Sequence, residues 1–222
     1  VTFSYAHVPW AFPRQKVLEQ YGLPQGEVKS QMFESARKVL CKAGYQPIGL
    51  DHFVREDDEL SIALKNGQLH RNFQGYCTRR TTGQVYAFGV TGISQLGTAY
   101  IQNTKSIPKY IEKLEVGTLP VAKGYALNKD EQITREVIEM LMCNYTIRWE
   151  ELAQRLSLSV EAIKQATAYD EQRLQEFAQD GLITWDADHI HMTSEGKLFV
   201  RNVAASLDKL MLKTDKSFSK PV

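Results

Sequence analysis

A strand, a helix and a second strand in immediate succession restrict this chain more than any other pattern in it. "VTFSYAHV" opens the sequence with Val1, Phe3, Tyr5 and Val8 as an apolar run. From Glu27 to Ala43 the residues Val28, Met32, Ala36, Val39, Leu40 and Ala43 recur at helical spacing. Gly44 stands where a left-handed helix cap is expected, and "YQPIGLDHFV" reads as a buried strand. Two strands joined through a helix lie parallel, with a right-handed crossover. The pattern therefore predicts one βαβ unit of an α/β sheet or barrel. A core strand with no polar lead-in also predicts that the chain is the C-terminal part of something longer, with an unpaired strand edge through which copies self-associate.

Asp57 or Asp58 is expected to cap a short helix carrying Leu60, Ala63 and Leu64, which Gly67 ends. "QVYAFGVTGIS" reads as a further strand, with Gly89 and Gly92 leaving room for close approach to the backbone. Ser106 caps a helix with Pro108 in its first turn. "VGTLPVAKGYALN" reads as a link, which gives domains at 1–120 and 121–222. Beyond it, Ile133, Val137, Ile138, Leu141 and Met142 form one helical stripe, and Trp149, Leu152, Ala153 and Leu156 a second. A longer helix with Leu174, Phe177 and Ala178 follows, then the hairpin "LITWDADHIHMT" and a last helix carrying Leu198, Phe199, Val203, Leu207 and Leu210. This order predicts a helical, winged-helix-like domain.

The totals exclude several classes. The 222 residues are 43% hydrophobic and 24% charged, an ordinary globular balance, with a net charge of +1. No global attraction to nucleic acid or anionic lipid follows from that charge, and no apolar run approaches membrane-spanning length. The cysteines, Cys41, Cys77 and Cys143, are odd in number and far apart, which suits neither a disulfide framework nor a zinc site. A reducing, cytoplasmic compartment is the expectation.

A winged helix invites a reading as a DNA binder. The segment "SVEAIKQATAYDEQRLQEFAQD" has Lys164, Gln165 and Arg173, but also Glu161, Asp170, Glu171, Glu176 and Asp180, whose charge repels phosphate. No nucleic-acid partner is expected. His52 follows Asp51 in the second predicted strand, and His7 ends the first. Functional groups gather at strand ends in α/β sheets; the plainer alternative for His52 is a histidine satisfied by its neighbour. His189 and His191 alternate in the hairpin and read as surface residues.

The stretch "LHRNFQGYCTRRTT" is different. It has no helical stripe and little alternation, so it reads as a loop, yet it gathers His70, Arg71, Asn72, Phe73, Gln74 and Tyr76. Arg71 can hold a carboxylate through two parallel hydrogen bonds. Phe73 offers a flat apolar face, and Gln74 both donates and accepts. Together they suit a planar or polyanionic organic ligand.

These residues carry a resemblance. "GLDHFVREDDELSIALKNGQLHRNFQGY", with "FGVTGIS" after it and "FSYAHVP" before it, is similar to the oxygen-independent coproporphyrinogen III oxidase (dehydrogenase) family of radical S-adenosylmethionine (SAM) enzymes. The similarity runs to the terminal "SFSKPV". It implies the C-terminal part of a radical SAM (β/α) barrel followed by the helical domain. It implies an activity as well: a SAM-derived radical removes hydrogen from a propionate of coproporphyrinogen III, and carbon dioxide leaves. Two propionates become vinyls, giving protoporphyrinogen IX for haem, with SAM and a [4Fe–4S] cluster as cofactors and an external electron donor. The resemblance places Ala6 and Ile93 against a second SAM molecule, and Phe73 and Gln74 near the reaction centre. Arg71, on charge grounds, is a propionate partner, and His52 a further catalytic candidate. The cluster's CxxxCxxC loop is absent, so this chain is expected to be inactive alone. The alternatives are a winged-helix nucleic-acid binder and a radical SAM haem chaperone, which would lack "RNFQGY".

Overall fold

The computed structural model describes residues 1–3, 5–73, 75–78 and 83–213. They form two compact units, one built on Val1–Ile62 and one on Ala63–Lys213.

In the first unit, helix α1 (Gly26–Lys42) ends on Gly44 as its spacing predicts. Gly44 has φ +85°, and the Tyr45 amide donates back to the Leu40 carbonyl at 3.1 Å. The segment read as one buried strand is instead two short ones, β1 (Gln46–Ile48) and β2 (His52–Val54). They pair antiparallel, Gln46 opposite Val54 and Ile48 opposite His52. Gly49, at φ +60°, supplies the left-handed residue that reverses the chain between them. The predicted opening strand is not one among the described residues: Thr2 donates to the Asp51 carbonyl at 2.8 Å, but no ladder follows. The expected parallel crossover is thus not found, and every strand pairing among the described residues is antiparallel. The predicted inner face of α1 is also largely open. Val28, Met32 and Val39 are exposed, because a hairpin of two three-residue strands covers little of a seventeen-residue helix. Phe33 is the residue that reaches the hairpin, its ring 6.5 Å from Phe53.

Helix α2 (Glu59–Lys65) is capped by Asp58, whose carboxylate accepts the Leu60 amide at 2.8 Å. In the second unit, the stretch read as a loop is a hairpin. Strands β3 (Leu69–Asn72) and β4 (Gly75–Thr78) pair antiparallel, Leu69 opposite Thr78 and Asn72 opposite Gly75. A three-stranded antiparallel sheet follows: β5 (Ile93–Gln95), β6 (Ala99–Asn103) and, after helix α3 (Ile107–Glu115), β7 (Val121–Ala126). The segment read as a link is therefore a sheet strand. Much of "QVYAFGVTGIS" is a buttressed turn ahead of β5. Gly89 and Thr91 have positive φ, and the Asn103 amide donates to the Ala87 and Gly89 carbonyls at 3.3 and 2.9 Å.

Helix α4 (Lys129–Asn144) is the axis of this unit. An Asn128–Glu131 capping box fixes its start: Glu131 N donates to Asn128 Oδ1 at 2.9 Å, and Asn128 N to Glu131 Oε2 at 2.8 Å. Val137 and Leu141, in the predicted stripe, are fully buried. Next come β8 (Thr146–Arg148), α5 (Trp149–Leu156), α6 (Val160–Ala166) and α7 (Glu171–Gln179). The predicted longer helix is thus two: α6 ends at the extended Thr167, and Asp170 caps α7, its carboxylate accepting the Gln172 amide at 2.9 Å. Strands β9 (Ile183–Trp185) and β10 (His189–Met192) form the predicted hairpin and complete a sheet ordered β8-β10-β9. The last predicted helix is shorter than its apolar pattern: a 3-10 turn over Gly196–Phe199, then α8 (Val200–Ser206), with Leu198 and Phe199 exposed. Ile147, Trp149, Leu152, Ile163, Leu174, Ile190, Val203 and Leu207 fill the core between these elements.

Candidate functional site

The site grows from α4. Hairpin β3–β4 packs on its C-terminal half, where the buried Tyr76 donates its hydroxyl to the Met142 carbonyl at 3.2 Å. The chain that follows α8 closes on its N-terminal end, where Lys209 Nζ meets Asp130 at 3.3 Å and the Gln165 carbonyl at 2.6 Å. Between these anchors runs a cleft of about 710 Å³, within the range of organic-ligand sites. Residues Asp130, Glu131, Thr134, Arg135, Ile138, Glu139 and Met142 line it along one flank of α4.

One wall is aromatic. Phe73, 57% exposed, meets Tyr100 of β6 edge to face, centroids 5.4 Å apart and planes at 86°. Such a pair presents a flat apolar surface with little freedom to collapse. Burial is the main cause that holds the Tyr100 phenol above its ordinary pKa, against the nearby Arg135 guanidinium, which lowers it. At neutral pH Tyr100 is an uncharged hydrogen-bonding group in the wall.

The charges in the cleft are unequally committed. Arg135 donates to the Leu96 and Gly97 carbonyls at 3.0 and 2.8 Å and so tethers the β5–β6 turn to α4. Glu139 Oε1 is hydrogen-bonded to Nδ1 of His70 at 2.6 Å. His70 itself is only 3% exposed, and its Nε2 is buried with no partner. Glu131 is held by its capping box and by the Tyr125 hydroxyl, and that bond chiefly raises the Tyr125 pKa. Asp208 accepts the Leu210 amide at 2.8 Å. Arg71 is only lightly committed: its guanidinium lies 5.8 Å over the Tyr76 ring.

Of the residues singled out in the sequence, Arg71 and Phe73 meet in this cleft. Gln74 lies outside the described residues. Ile93 opens β5, opposite Gln102. Ala6 belongs to the first unit, exposed, its carbonyl accepting Gln15 Nε2 at 3.2 Å. His52, also in the first unit, is bound by Asp51 at 2.8 Å, as its plainer reading has it. His7 pairs with Glu19 at 2.9 Å and His189 with Asp186 at 2.9 Å. Sequence reasoning missed Tyr100, Arg135, Glu139 and the buried role of His70. The signal for α4 was present, since its polar residues Arg135, Glu136 and Glu139 flank the apolar stripe at helical spacing.

Among the described residues no group of His, Cys, Asp and Glu side chains is placed to hold a metal ion. Cys41 is exposed, Cys77 half-buried and Cys143 buried, each on a different element. The residues present do not fit an iron–sulfur cluster.

Comparison with known proteins shows what the chain resembles. Residues 127–199, from the start of α4 to the 3-10 turn before α8, match the family model described as the HemN C-terminal domain. Over nearly its whole length the chain is similar to proteins named oxygen-independent coproporphyrinogen III oxidase. It is 35% identical over 218 residues to the enzyme of that name from Helicobacter pylori, covering 98% of this chain and 47% of the relative. It is 36% identical to that from Synechocystis sp., over 93% of this chain and 44% of the relative. A solved structure, the coproporphyrinogen III oxidase HemN of Escherichia coli, a radical SAM enzyme, superposes with a TM-score of 0.82. Its identity is 35%, with 93% of this chain and 46% of that one covered. The chain spans about half the length of the curated relatives it matches. No helix among the described residues is long and apolar enough to cross a membrane.

Proposed function

We propose that this chain is the substrate-proximal part of an oxygen-independent coproporphyrinogen III dehydrogenase, whose whole reaction converts two propionates of coproporphyrinogen III to vinyls and yields protoporphyrinogen IX. The observation that carries the reading is the cleft beside "LHRNFQGY": an aromatic wall and an under-committed arginine, within a fold that superposes on the E. coli enzyme at 0.82. In this reading residues 1–120 contribute to a radical SAM barrel and 121–222 form a winged-helix-like module. The family match starts at residue 127, just past β7, which pairs with β6, and so supports a module that begins after that strand; the β8-β10-β9 sheet set among short helices supports the module itself. The enzyme's cofactors are SAM and a [4Fe–4S] cluster, the cluster held by residues this chain does not contain. Alone, the chain is inactive.

The chain's own work is binding. Arg71 grips a propionate by a charge-assisted, two-pronged contact. The Phe73–Tyr100 wall takes the apolar flank of the macrocycle and excludes water from it. Gln74, Ala6, Ile93 and His52 are assigned by resemblance or position: Gln74 and Phe73 near the reacting side chain, Ala6 and Ile93 as contacts to SAM, and His52 as a further catalytic candidate. A cytoplasmic location and an external electron donor belong to the same proposal.

A chimera tests it. The corresponding segment of the E. coli enzyme is replaced by this chain, the cluster is reconstituted without oxygen, and release of labelled carbon dioxide from coproporphyrinogen III is followed. Release with formation of protoporphyrinogen IX is expected, and Phe73→Ala should reduce it at least about tenfold. A folded, cluster-loaded chimera that releases none would sink the reading.

A further inference from the structure

We infer that the cleft is a two-ended carboxylate clamp, in which Lys213 grips the edge of the tetrapyrrole opposite the one held by Arg71. The inference rests on the tetrapyrrole reading above and goes beyond it by assigning a second anchoring residue at a stated end of the site.

Four cationic side chains line the cleft: Arg71, Arg135, Lys209 and Lys213. Arg135 is spent on the Leu96 and Gly97 carbonyls, and Lys209 on Asp130 and the Gln165 carbonyl. The four acids of the lining are each held by the protein: Asp130 by Lys209, Glu131 by the Asn128 amide, Glu139 by His70 and Asp208 by the Leu210 amide. Among the described residues, the Arg71 guanidinium makes only its contact with the Tyr76 ring, and the Lys213 ammonium makes no hydrogen bond or ion pair, while the Lys213 backbone N–H donates to the Leu210 carbonyl at 3.2 Å. A polyanion entering the cleft therefore meets two cations that need not leave another partner. Carboxylates bind most strongly where the cation is available and partly desolvated.

The two cations stand at opposite ends. Arg71 sits over Tyr76, which is bonded to Met142 near the end of α4. Lys213 closes the 3-10 turn Met211–Lys213, just beyond Lys209, which is bonded to Asp130 at the start of α4. From Asp130 to Met142 the helix rises ~18 Å at about 1.5 Å per residue. A tetrapyrrole with an extended propionate on each edge is long enough to bridge such a span, whereas one with carboxylates on a single edge is not. The clamp thus distinguishes a macrocycle carrying carboxylates all round from one that carries them on one side. That is the chemical difference between a substrate with four propionates and a product with two.

Binding of stable porphyrins to the 222-residue chain tests this. Coproporphyrin III carries four carboxylates, one on each ring; mesoporphyrin IX carries two, on neighbouring rings. Lys213→Ala should weaken coproporphyrin III about tenfold while changing mesoporphyrin IX by no more than about twofold, and Lys213→Arg should restore the first. Equal weakening of both porphyrins would mark Lys213 as merely structural and overturn the clamp. So would unchanged binding of both, while leaving the tetrapyrrole reading intact. If the unaltered chain, folded by circular dichroism, bound neither porphyrin, the reading and the clamp would both fall.

Discussion

Tyr100 shows how one side chain ties the cleft to pH. Its phenol is held above the ordinary value of 10.0, first by burial and against the pull of Arg135. A phenol whose folded pKa is raised ionises more readily in the unfolded chain. Its contribution to stability is therefore complete below pH 10 and fades as the pH climbs from the unfolded pKa toward the folded one. Tyr100→Phe keeps the ring against Phe73 and removes the titration. The stability difference between the two proteins, from denaturant melts, should shrink as the pH rises above about 10. A difference that stayed constant over that rise would mean the phenol is not desolvated as the packing implies. His70 is the second instructive residue. Sequence reading counted it among loop side chains, yet it is buried, its ring bonded to Glu139, 69 positions away in the chain. Nothing local announces such a partner. The nearby Arg71 and Phe73 were readable because their chemistry alone fits a flat polyanion, whatever strand carries them.

Elements were legible where a terminus carries its own signal. Asp58 and Ser106 cap helices as their positions predict, and Gly44 and Gly181 end them with positive φ. Long-range pairing was not legible. Polar residues at Arg71 and Asn72 hide a strand, because they face a cleft rather than a core. The apolar run from Tyr45 to Val54 hides a reversal at Gly49. Two changes measure how firmly the elements around α4 are set. Asn128→Ala removes half of the capping box and should cost about 1 kcal/mol in a thermal or urea melt. A loss within a few tenths would mean that Glu131 and water satisfy the end of the helix without it. Gly196 is a matter of space rather than φ. A β-carbon there would sit 1.8 Å from the Leu182 carbonyl oxygen, and the contact is backbone on both sides. Thr193 fixes that approach by donating to the Gly181 carbonyl at 2.7 Å and accepting the Gly196 amide at 2.9 Å. Gly196→Ala should therefore cost about 3 kcal/mol, at the upper end for overpacking, and a nearly neutral result would show that the turn yields.

At the scale of the molecule, cohesion is unevenly distributed. Ile48 is the one buried apolar residue of Val1–Ile62 among the described residues, whereas the second unit buries more than twenty, from Ala63 to Leu207. Apolar area removed from water is the main force opposing chain entropy. The first unit therefore has little to resist local opening, while α4, β10 and α8 open only when the whole second unit does. Native-state hydrogen exchange should show this directly. Amides of α1 and of the β1–β2 hairpin should exchange at least about a hundredfold faster than those of α4 at Val137 and Leu141. They should also respond little to low urea, as local openings that expose little surface do. The amides of α4, β10 and α8 should instead converge on a single opening free energy as urea rises. Protection of α1 equal to that of α4 would mean that the exposed stripe of Val28, Met32 and Val39 is covered in solution. A second copy of the chain would be the first occupant to seek, by repeating the exchange across a dilution series: protection that fell with concentration would identify it.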